Sequence, residues 1–360
     1  DPGRGLFSGA SGLLTPNGFY FEANNRHKKS LTLNLKHPEA AGIVHRLAAR
    51  SDVFVQNFRQ GIARRLRIDY ANLSALNPRL IYGNATGYGP QGPESGSPSF
   101  DYMGQARSGV MNAIGAPDSP PSYIYGGVAD QMGAIMLAYG IITALYVRER
   151  TGVGQQVDIS HLGSMMALQG LNVSSVLIGG REMPRRSREE AYNPLWNHYR
   201  CGDGRWLCLG MLQPDRYWKD FCRALALDDL AADPRYEEIV ARGKHSRELI
   251  AILDGAFATR PREEWIKILQ AGGDFIFTVM NTLSDLPEDP QVIANRYVLD
   301  YDHPRSGPMK VLGMPVHFSR TPGDSRGPAP ELGEHTEAIL VEMLGYSWEE
   351  VAALREAGAI

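Results

Sequence analysis

The stretch Thr151–Ala167 carries the residue types and spacing best suited to chemistry. Gly152 and Gly154 predict a turn after a long helix, and a short strand follows the turn. Ser160 is a preferred N-cap residue, which predicts a further helix from about His161. Where a strand runs directly into a helix, unpaired N–H groups and the helix dipole both favour negative charge. The stretch therefore predicts a site that holds a nucleophile or binds an anion.

The same stretch resembles the signature of the family III CoA-transferases, which include formyl-CoA transferase and α-methylacyl-CoA racemase. The family pattern is G-x-G-Q-x-V-D/T-x-S/A-x-x-D, and its last Asp is the nucleophile or proton-transfer group. Here the pattern starts at Gly152, and its last position is Gly163. The resemblance thus implies the family fold with no catalytic carboxylate at that position.

Further segments resemble the family in the same order along nearly the whole chain, and together they are specific for the fold rather than for the substrate. They are Lys29–Lys36, Asp52–Arg59, Asn77–Tyr82, Gly87–Pro93 and Ala329–His335. The resemblance implies an α/β protein with a large Rossmann-like parallel-sheet domain and a smaller α+β domain. It also implies an interlocked dimer, in which two chains pass through each other and the C-terminal segment returns to the large domain.

The resemblance also implies a binding site for coenzyme A (CoA), which is a substrate as CoA or acyl-CoA rather than a permanent cofactor. Position by position, the CoA contacts fall on six residues: Leu33, Lys36, Asn57, Phe58, Arg59 and Arg64. Lys36 and Arg64 would hold phosphate charge, and Phe58 or a neighbouring guanidinium would cover the adenine. The alternative is that Lys36 and Arg64 are ordinary surface cations.

Other groups near the signature are poor replacements for the missing carboxylate. Asp158 lies five residues before Gly163, but family members that keep the nucleophile often have Asp there too. The racemase branch needs a His and a Glu, and Phe100 and Gln213 stand at those positions. A Phe cannot exchange a proton, and a Gln has no useful pKa. His161 is a possible base, although a lone His at a helix start is more often a cap or packing residue.

The composition argues against a nucleic-acid-binding protein and against a membrane-spanning one. A chain of 360 residues with 43% hydrophobic content can bury a large core. Its net charge of −3 argues against nucleic-acid binding. The sequence contains no run of about 18 apolar residues, so it does not predict a membrane span. The three cysteines lack C-x-x-C spacing, which predicts a reduced, cytoplasmic protein with no metal site. In the resembled family one strand–helix unit precedes this sequence, so we expect that unit to be missing here.

Alternating strands and helices predict three regions: a large CoA-binding domain over 1–185, a small domain over 190–300, and a linker with returning helices over 301–360. The hydrophobic pattern predicts strands at Leu31–Leu35, Asp52–Phe58, Leu80–Ala85 and Gln155–Ile159, and helices at Asp101–Met111 and Val128–Arg150. Pro184–Glu190 is interpreted as a solvated charged linker, and 302–330 as a Pro- and Gly-rich linker. The small domain is predicted to contain a hairpin with a Gly202-Asp203-Gly204 turn.

Three functions fit these features. In the first, the chain is the Asp-less subunit of a heteromeric CoA-transferase such as succinyl-CoA:benzylsuccinate CoA-transferase, and a homologous chain supplies the Asp. In the second, a homodimer performs racemase-like acid–base chemistry on an acyl-CoA through other residues. In the third, the chain binds CoA without catalysis. We favour the first, with CoA passing between carboxylic acids.

Overall fold

A computed structural model describes residues 2–4, 18–323 and 327–360. The chain divides into two compact units. The large unit consists of Asp1–Gly115, Ser119–Met183 and Leu299–Ile360. The small unit consists of Ala116–Asp118 and Pro184–Val298.

Strands and α-helices alternate in the large unit. Its strands are β1 (Val53–Gln56), β2 (Ile81–Thr86), β3 (Gln156–Ser160), β7 (Val298–His303) and β8 (Gly307–Leu312). Its helices are α1 (Gly18–Asn25), α2 (Pro38–Ala48), α3 (Ile62–Arg65), α4 (Tyr70–Leu76), α5 (Asp101–Arg107), α6 (Val110–Ala113), α7 (Val128–Thr151), α8 (His161–Leu168), α9 (Gly170–Leu177), α16 (Thr336–Ala338) and α17 (Trp348–Glu356). A 3₁₀ turn at Pro2–Arg4 and a π-helical turn at Ile339–Met343 complete the unit.

The small unit contains the strands β4 (Trp196–Arg200), β5 (Trp206–Gly210) and β6 (Phe277–Met280). Its helices are α10 (Asp215–Ala224), α11 (Asp228–Ala232), α12 (Ile239–Lys244), α13 (Ser246–Phe257), α14 (Arg262–Gly272) and α15 (Pro290–Ala294). Three 3₁₀ turns lie at Arg188–Glu190, Pro234–Tyr236 and Leu283–Glu288.

The centre of the large unit is a parallel sheet in the order β1-β2-β3, which confirms the predicted mixed α/β fold with a parallel sheet. Parallel neighbours need crossover connections, and α3 to α7 provide them. The first strand is shorter than the predicted Asp52–Phe58. Its residues are half-buried except Val55, which is 52% exposed.

Helix α7 lies across β2 and β3, and two glycines allow the close approach. Gly83 on β2 is so close to the helix that an added Cβ would lie 3.2 Å from Leu137 Cδ1. A Cβ at Gly140 would lie 2.6 Å from Val157 Cγ1 on β3. By length and composition alone α7 is apolar enough to cross a membrane, and only 22% of its most apolar window is buried in this structure. The sheet contacts therefore account for the apolar residues on one face of α7 only.

The predicted strand at Leu31–Leu35 is wrong, since no regular strand forms there. The segment is nevertheless held by the C-terminal residues. Thr32 N–H donates to Thr336 Oγ1 at 3.1 Å, and Asn34 N–H donates to the Ala359 carbonyl at 2.8 Å. Leu31 and Leu33 pack against the apolar cluster that the C-terminal helices form on α2. Leu31, Leu33 and Leu35 are half-buried, but the backbone hydrogen bonds of the segment are too irregular for a sheet.

Two further predictions of local structure need correction. The predicted helix Asp101–Met111 is broken into α5 and α6 at Gly109, whose φ of 84° is left-handed. The region 302–330 is not only a linker, because β7 and β8 form a two-stranded sheet there. The many Pro and Gly residues of this region are typical of loops, so the hydrophobic pattern did not predict the hairpin.

The small unit is built on an antiparallel sheet in the order β4-β5-β6, which contains the predicted hairpin. Aromatic and aliphatic side chains from this sheet, α10, α13 and α14 form one continuous core. The predicted solvation of Pro184–Glu190 is wrong for Arg188. Its guanidinium donates to both carboxylate oxygens of Asp254, at 2.6 and 3.0 Å, and lies over the Tyr199 ring.

Two thiols, Cys201 and Cys222, are buried in this core. Burial raises the pKa of Cys201 to about 11 and that of Cys222 to about 12. At pH 8 we expect iodoacetamide to modify half-buried Cys208 in the native chain and to reach Cys201 and Cys222 only after urea is added. Peptide mass spectrometry measures this directly, and equal native labelling of all three thiols would contradict it. Because folding raises both pKa values, their contribution to stability is complete below about pH 8.5 and falls as the pH rises toward the folded values.

Candidate functional site

The junction of β3 and α8 has the predicted geometry. Strand β3 ends at Ser160, whose side chain caps α8 by accepting a hydrogen bond from Gly163 N–H at 3.0 Å. Leu162 N–H donates to the Gly87 carbonyl at 3.1 Å, so the loop after β2 lies against the start of the helix. These two hydrogen bonds hold the junction in place at the carboxyl end of the sheet.

Gly163 lies exposed in the first turn of α8. An added Cβ would meet only one atom within 4 Å, Ser160 Oγ at 3.2 Å. That hydroxyl is able to move by a few tenths of an ångström. The backbone at Gly163 does not require glycine, because its φ is not left-handed. The position can accept a side chain, and a carboxylate there would be favoured by the helix dipole.

His161 is a packing residue that is paired with a carboxylate. Its Nε2 lies 3.1 Å from Asp130 Oδ1, and its Nδ1 is buried with no hydrogen-bond partner. The side chain packs against α5 and α7, since a Cβ at Gly104 would lie 2.7 Å from His161 Cβ and one at Gly133 would lie 3.4 Å from His161 Cδ2. One ring nitrogen is occupied and the other is enclosed, so the geometry argues against proton transfer by His161.

The two residues at the positions of the racemase acid and base, Phe100 and Gln213, cannot transfer a proton. Phe100 is 74% exposed and precedes α5, and Gln213 is exposed in the small unit. Asp101, next to Phe100, has a structural role. Its carboxylate accepts hydrogen bonds from Ala129 N–H at 2.6 Å and from Gln105 Nε2 at 2.8 Å, which fixes the start of α7.

A cavity of about 420 Å³ opens at the carboxyl ends of β1 and β2 in the large unit. Three of the six predicted CoA contacts line it: Phe58, Arg59 and Arg64. The remaining lining comes mainly from Gln56, Gln60, Asp69, Tyr70, Tyr82, Asn84, Thr86 and Gln156. Two cations, aromatic surface and amide groups together suit an anionic ligand with a flat ring.

The other three predicted contacts do not line the cavity. Leu33 is half-buried and packs against two apolar clusters of the large unit. Lys36 and Asn57 are exposed. The structure therefore brings Phe58, Arg59 and Arg64 together and leaves Leu33, Lys36 and Asn57 outside this group.

Aromatic side chains form the floor of the cavity. The Tyr82 ring stacks on Phe54 with centroids 5.3 Å apart, and Tyr70 meets it edge-on at 5.9 Å. The Tyr82 hydroxyl donates to the Ile68 carbonyl at 3.1 Å. Burial, followed by the nearby Asp69 carboxylate, raises the pKa of Tyr82 to about 12, so this phenol stays neutral at physiological pH.

Sequence reasoning missed a row of polar side chains that crosses the sheet beside the cavity. Gln56, Asn84 and Asp158 are neighbours in the strand register. Gln56 Nε2 donates to Asn84 Oδ1 at 2.6 Å, and Asn84 Nδ2 donates to Asp158 Oδ1 at 2.6 Å. We call these three residues the polar row. The only sequence signal that could have predicted the polar row was one polar residue near the end of each strand.

Comparison with known proteins identifies the family. The profile of CoA-transferase family III matches residues 1–336. The chain belongs to this family. The predicted membership is thereby confirmed, and so is the general class of activity, CoA transfer with CoA thioesters as substrates.

Named relatives of this CoA-transferase family III member match over most of its length. The (R)-2-hydroxy-4-methylpentanoate CoA-transferase of Clostridioides difficile is 29% identical over 341 residues, covering 94% of this chain and 84% of the relative. The succinyl-CoA:glutarate CoA-transferase of Mus musculus is 32% identical over 343 residues, covering 95% and 78%. The crystal structure of a CAIB/BAIF family protein from Brucella suis has a TM-score of 0.81 at 28% identity, covering 91% of this chain and 84% of that one.

Within the described residues, no cluster of three or more His, Cys, Asp or Glu side chains is arranged to hold a metal ion. The resemblance described above aligns Gly163 with the position of the family's catalytic carboxylate.

Proposed function

We propose that this chain is the non-nucleophilic subunit of a heteromeric family III CoA-transferase, whose catalytic Asp comes from a homologous partner chain. The observation that carries the proposal is Gly163. The position is exposed, has room for a side chain and lies at a helix N-terminus, yet it carries no nucleophile. Covalent transfer through an acyl anhydride needs a carboxylate oxygen, which glycine lacks.

The proposed reaction moves CoA between two carboxylic acids. The partner's Asp carboxylate attacks the acyl-CoA thioester, forming a mixed anhydride and releasing CoA thiolate. The thiolate attacks the aspartyl carbonyl of the anhydride, which releases the first acid and gives an aspartyl-CoA thioester. The acceptor carboxylate then attacks that thioester, and the resulting anhydride is cleaved by CoA thiolate to give the new acyl-CoA and free Asp.

The cavity supports a binding role for this chain's own residues in that reaction. Arg59 and Arg64 would hold phosphate groups of CoA, and Phe58 would cover its adenine ring. By analogy with the relatives, we propose succinyl-CoA as donor and an aromatic or dicarboxylic acid as acceptor. Relatives named for succinyl-CoA transfer to glutarate and to D-citramalate support this substrate class.

Exposed apolar surface supports the proposed association with another chain as an interlocked dimer. Ile135, Tyr139, Ile142 and Tyr146 form a stripe along the outer face of α7, and each is more than half exposed. A stripe of this kind marks an interaction surface in a protein of this class. We also propose a cytoplasmic location, in keeping with three free cysteines.

Reconstitution tests the proposal. We expect the pure chain to transfer no CoA from succinyl-CoA to a panel of aromatic and dicarboxylic acids. Addition of the homologous Asp-bearing chain should give turnover, because the carboxylate then enters the shared site. Chromatographic assay of the acyl-CoA products measures transfer, and size-exclusion chromatography measures the complex.

The matched control replaces the partner's Asp with Asn, which should abolish the reconstituted activity while the complex still forms. Strong transfer by the pure, unmodified chain would remove the heteromeric proposal and favour a homodimer that uses another group. CoA binding without turnover in either mixture would favour a non-catalytic CoA-binding protein.

The two neighbouring arginines of α3 offer an internal test of the CoA site. Arg64 lines the cavity, whereas exposed Arg65 does not. Replacing Arg64 with Ala should weaken CoA binding by about tenfold, the loss of roughly one charge-assisted hydrogen bond. Isothermal titration of CoA measures the change, and Arg65→Ala is the control with the same change in net charge. Equal losses in both variants would indicate general charge attraction instead of a contact with phosphate.

A further inference from the structure

The polar row runs straight across the parallel sheet at the edge of the cavity. Register places Gln56 opposite Asn84, and Asn84 opposite Asp158, so one polar side chain per strand lies side by side. Gln156, two residues before Asp158 on the same face, donates to both Asp158 carboxylate oxygens at 2.9 Å. Gln56, Asn84 and Gln156 all line the cavity.

The carboxylate of Asp158 fixes the direction of every hydrogen bond in the polar row. Because a carboxylate only accepts, the Asn84 side chain must present its NH₂ group to Asp158. Its carbonyl oxygen then faces Gln56, which must present its own NH₂ group. The Gln56 carbonyl oxygen is left to point the other way.

That oxygen holds the turn after β1. Gln56 Oε1 accepts a hydrogen bond from Phe58 N–H at 2.7 Å. Phe58 and Arg59, both in the cavity wall, follow directly from this anchor. If the Gln56 amide turned over, an NH₂ group would face the Phe58 N–H, and the turn would lose its anchor.

We propose that Asp158, acting through Asn84 and Gln56, is a positioning residue that holds the Phe58–Arg59 turn in its CoA-binding conformation. This inference rests on the proposed function, since it assumes that the cavity binds CoA. Asp158 itself needs no contact with the ligand. Its charge sets the orientation of two amides, and the second amide sets the turn.

The test compares four forms of the full chain by isothermal titration with CoA: wild type, Asp158→Asn, Asn84→Asp, and the double exchange Asp158→Asn/Asn84→Asp. We expect Asp158→Asn to bind about tenfold more weakly, because a single displaced hydrogen bond is worth about that factor. Asn84→Asp should also bind more weakly, since it places two carboxylates side by side. The double exchange should restore affinity, because a carboxylate at position 84 still forces the Gln56 NH₂ group toward itself.

Amide hydrogen exchange at Phe58 provides a second reading that does not depend on ligand. Exchange should accelerate in Asp158→Asn and return to the wild-type rate in the double exchange. The control is Asp300→Asn, which removes an exposed carboxylate from a different strand and should leave both CoA affinity and Phe58 exchange unchanged.

The outcomes separate this inference from the proposed function. A wild-type chain that binds no CoA removes the proposed function and the inference with it. If the wild type binds CoA and Asp158→Asn binds equally well, only the inference fails. A double exchange that stays as weak as Asp158→Asn also overturns it, because the charge of Asp158 would then act directly and not through the amides.

Discussion

Replacement of Gly163 with Asp is expected to give this chain CoA-transfer activity of its own, at least about a thousandfold above the unmodified chain, since loss of a covalent nucleophile costs at least that much. The structure supplies the reason. An added Cβ meets only the Ser160 hydroxyl at 3.2 Å, and α8 directs its N–H groups and dipole toward the new carboxylate. The measurement is acyl-CoA product formation from succinyl-CoA, together with mass spectrometry of an adduct trapped on the peptide that contains position 163.

Gly163→Asn is the matched control, because it has nearly the same shape but no nucleophilic oxygen anion. Both variants should be more stable than the wild type by roughly 0.3 kcal/mol, since glycine is somewhat less favourable within a helix than Asp or Asn. Asp should gain slightly more than Asn from the dipole. A Gly163→Asp chain that folds and binds CoA but turns nothing over would show that the site lacks more than a carboxylate.

The β3–α8 junction was predictable because its determinants are local. A left-handed Gly152 ends α7, Ser160 caps α8, and the residues between them form a strand. Each of these signals acts within a few residues, so sequence alone suffices. The family resemblance then assigned the chemistry of position 163, which no local signal contains.

Elements that depend on distant partners were harder to predict. The Leu31–Leu35 segment has the alternation of a strand, but its backbone bonds go to residues near 336 and 359, far along the chain. The polar row was missed for the same reason. Gln56 and Asn84 carry no signal singly, and Asp158 was considered only as a replacement carboxylate. Only the register of three separate strands makes the three residues one hydrogen-bonded unit.

Arg242 in the small unit also has no signal in the sequence, and its replacement by Ala is expected to lower the free energy of unfolding by about 2–4 kcal/mol. The side chain is fully buried. It donates to the carbonyls of Tyr236 at 2.6 Å and Glu237 at 3.1 Å, pairs with Asp215 and lies 4.8 Å from the Trp218 ring. Burial lowers its pKa to about 10, so the guanidinium is still charged at pH 7.

The expected loss of stability in Arg242→Ala has two causes. Two carbonyls would lose their donor, and a cavity would open beneath Trp218. Asp215 contributes less, because its side chain is half exposed and water can replace the guanidinium. Urea unfolding followed by tryptophan fluorescence suits the measurement, since four of the five tryptophans lie in the small unit: Trp196, Trp206, Trp218 and Trp265.

Two variants separate the carbonyl contacts from simple loss of charge. Arg223→Ala removes an exposed arginine that pairs with Asp220 in the same unit, and it should cost less than about 0.5 kcal/mol. Arg242→Lys keeps the charge but cannot offer a planar fork to two carbonyls, so it should fall between wild type and Arg242→Ala. If Arg242→Lys matches the wild type, the charge alone stabilises the unit. If it matches Arg242→Ala, the forked geometry carries the whole effect, because a single ammonium group cannot satisfy both carbonyls from within the core.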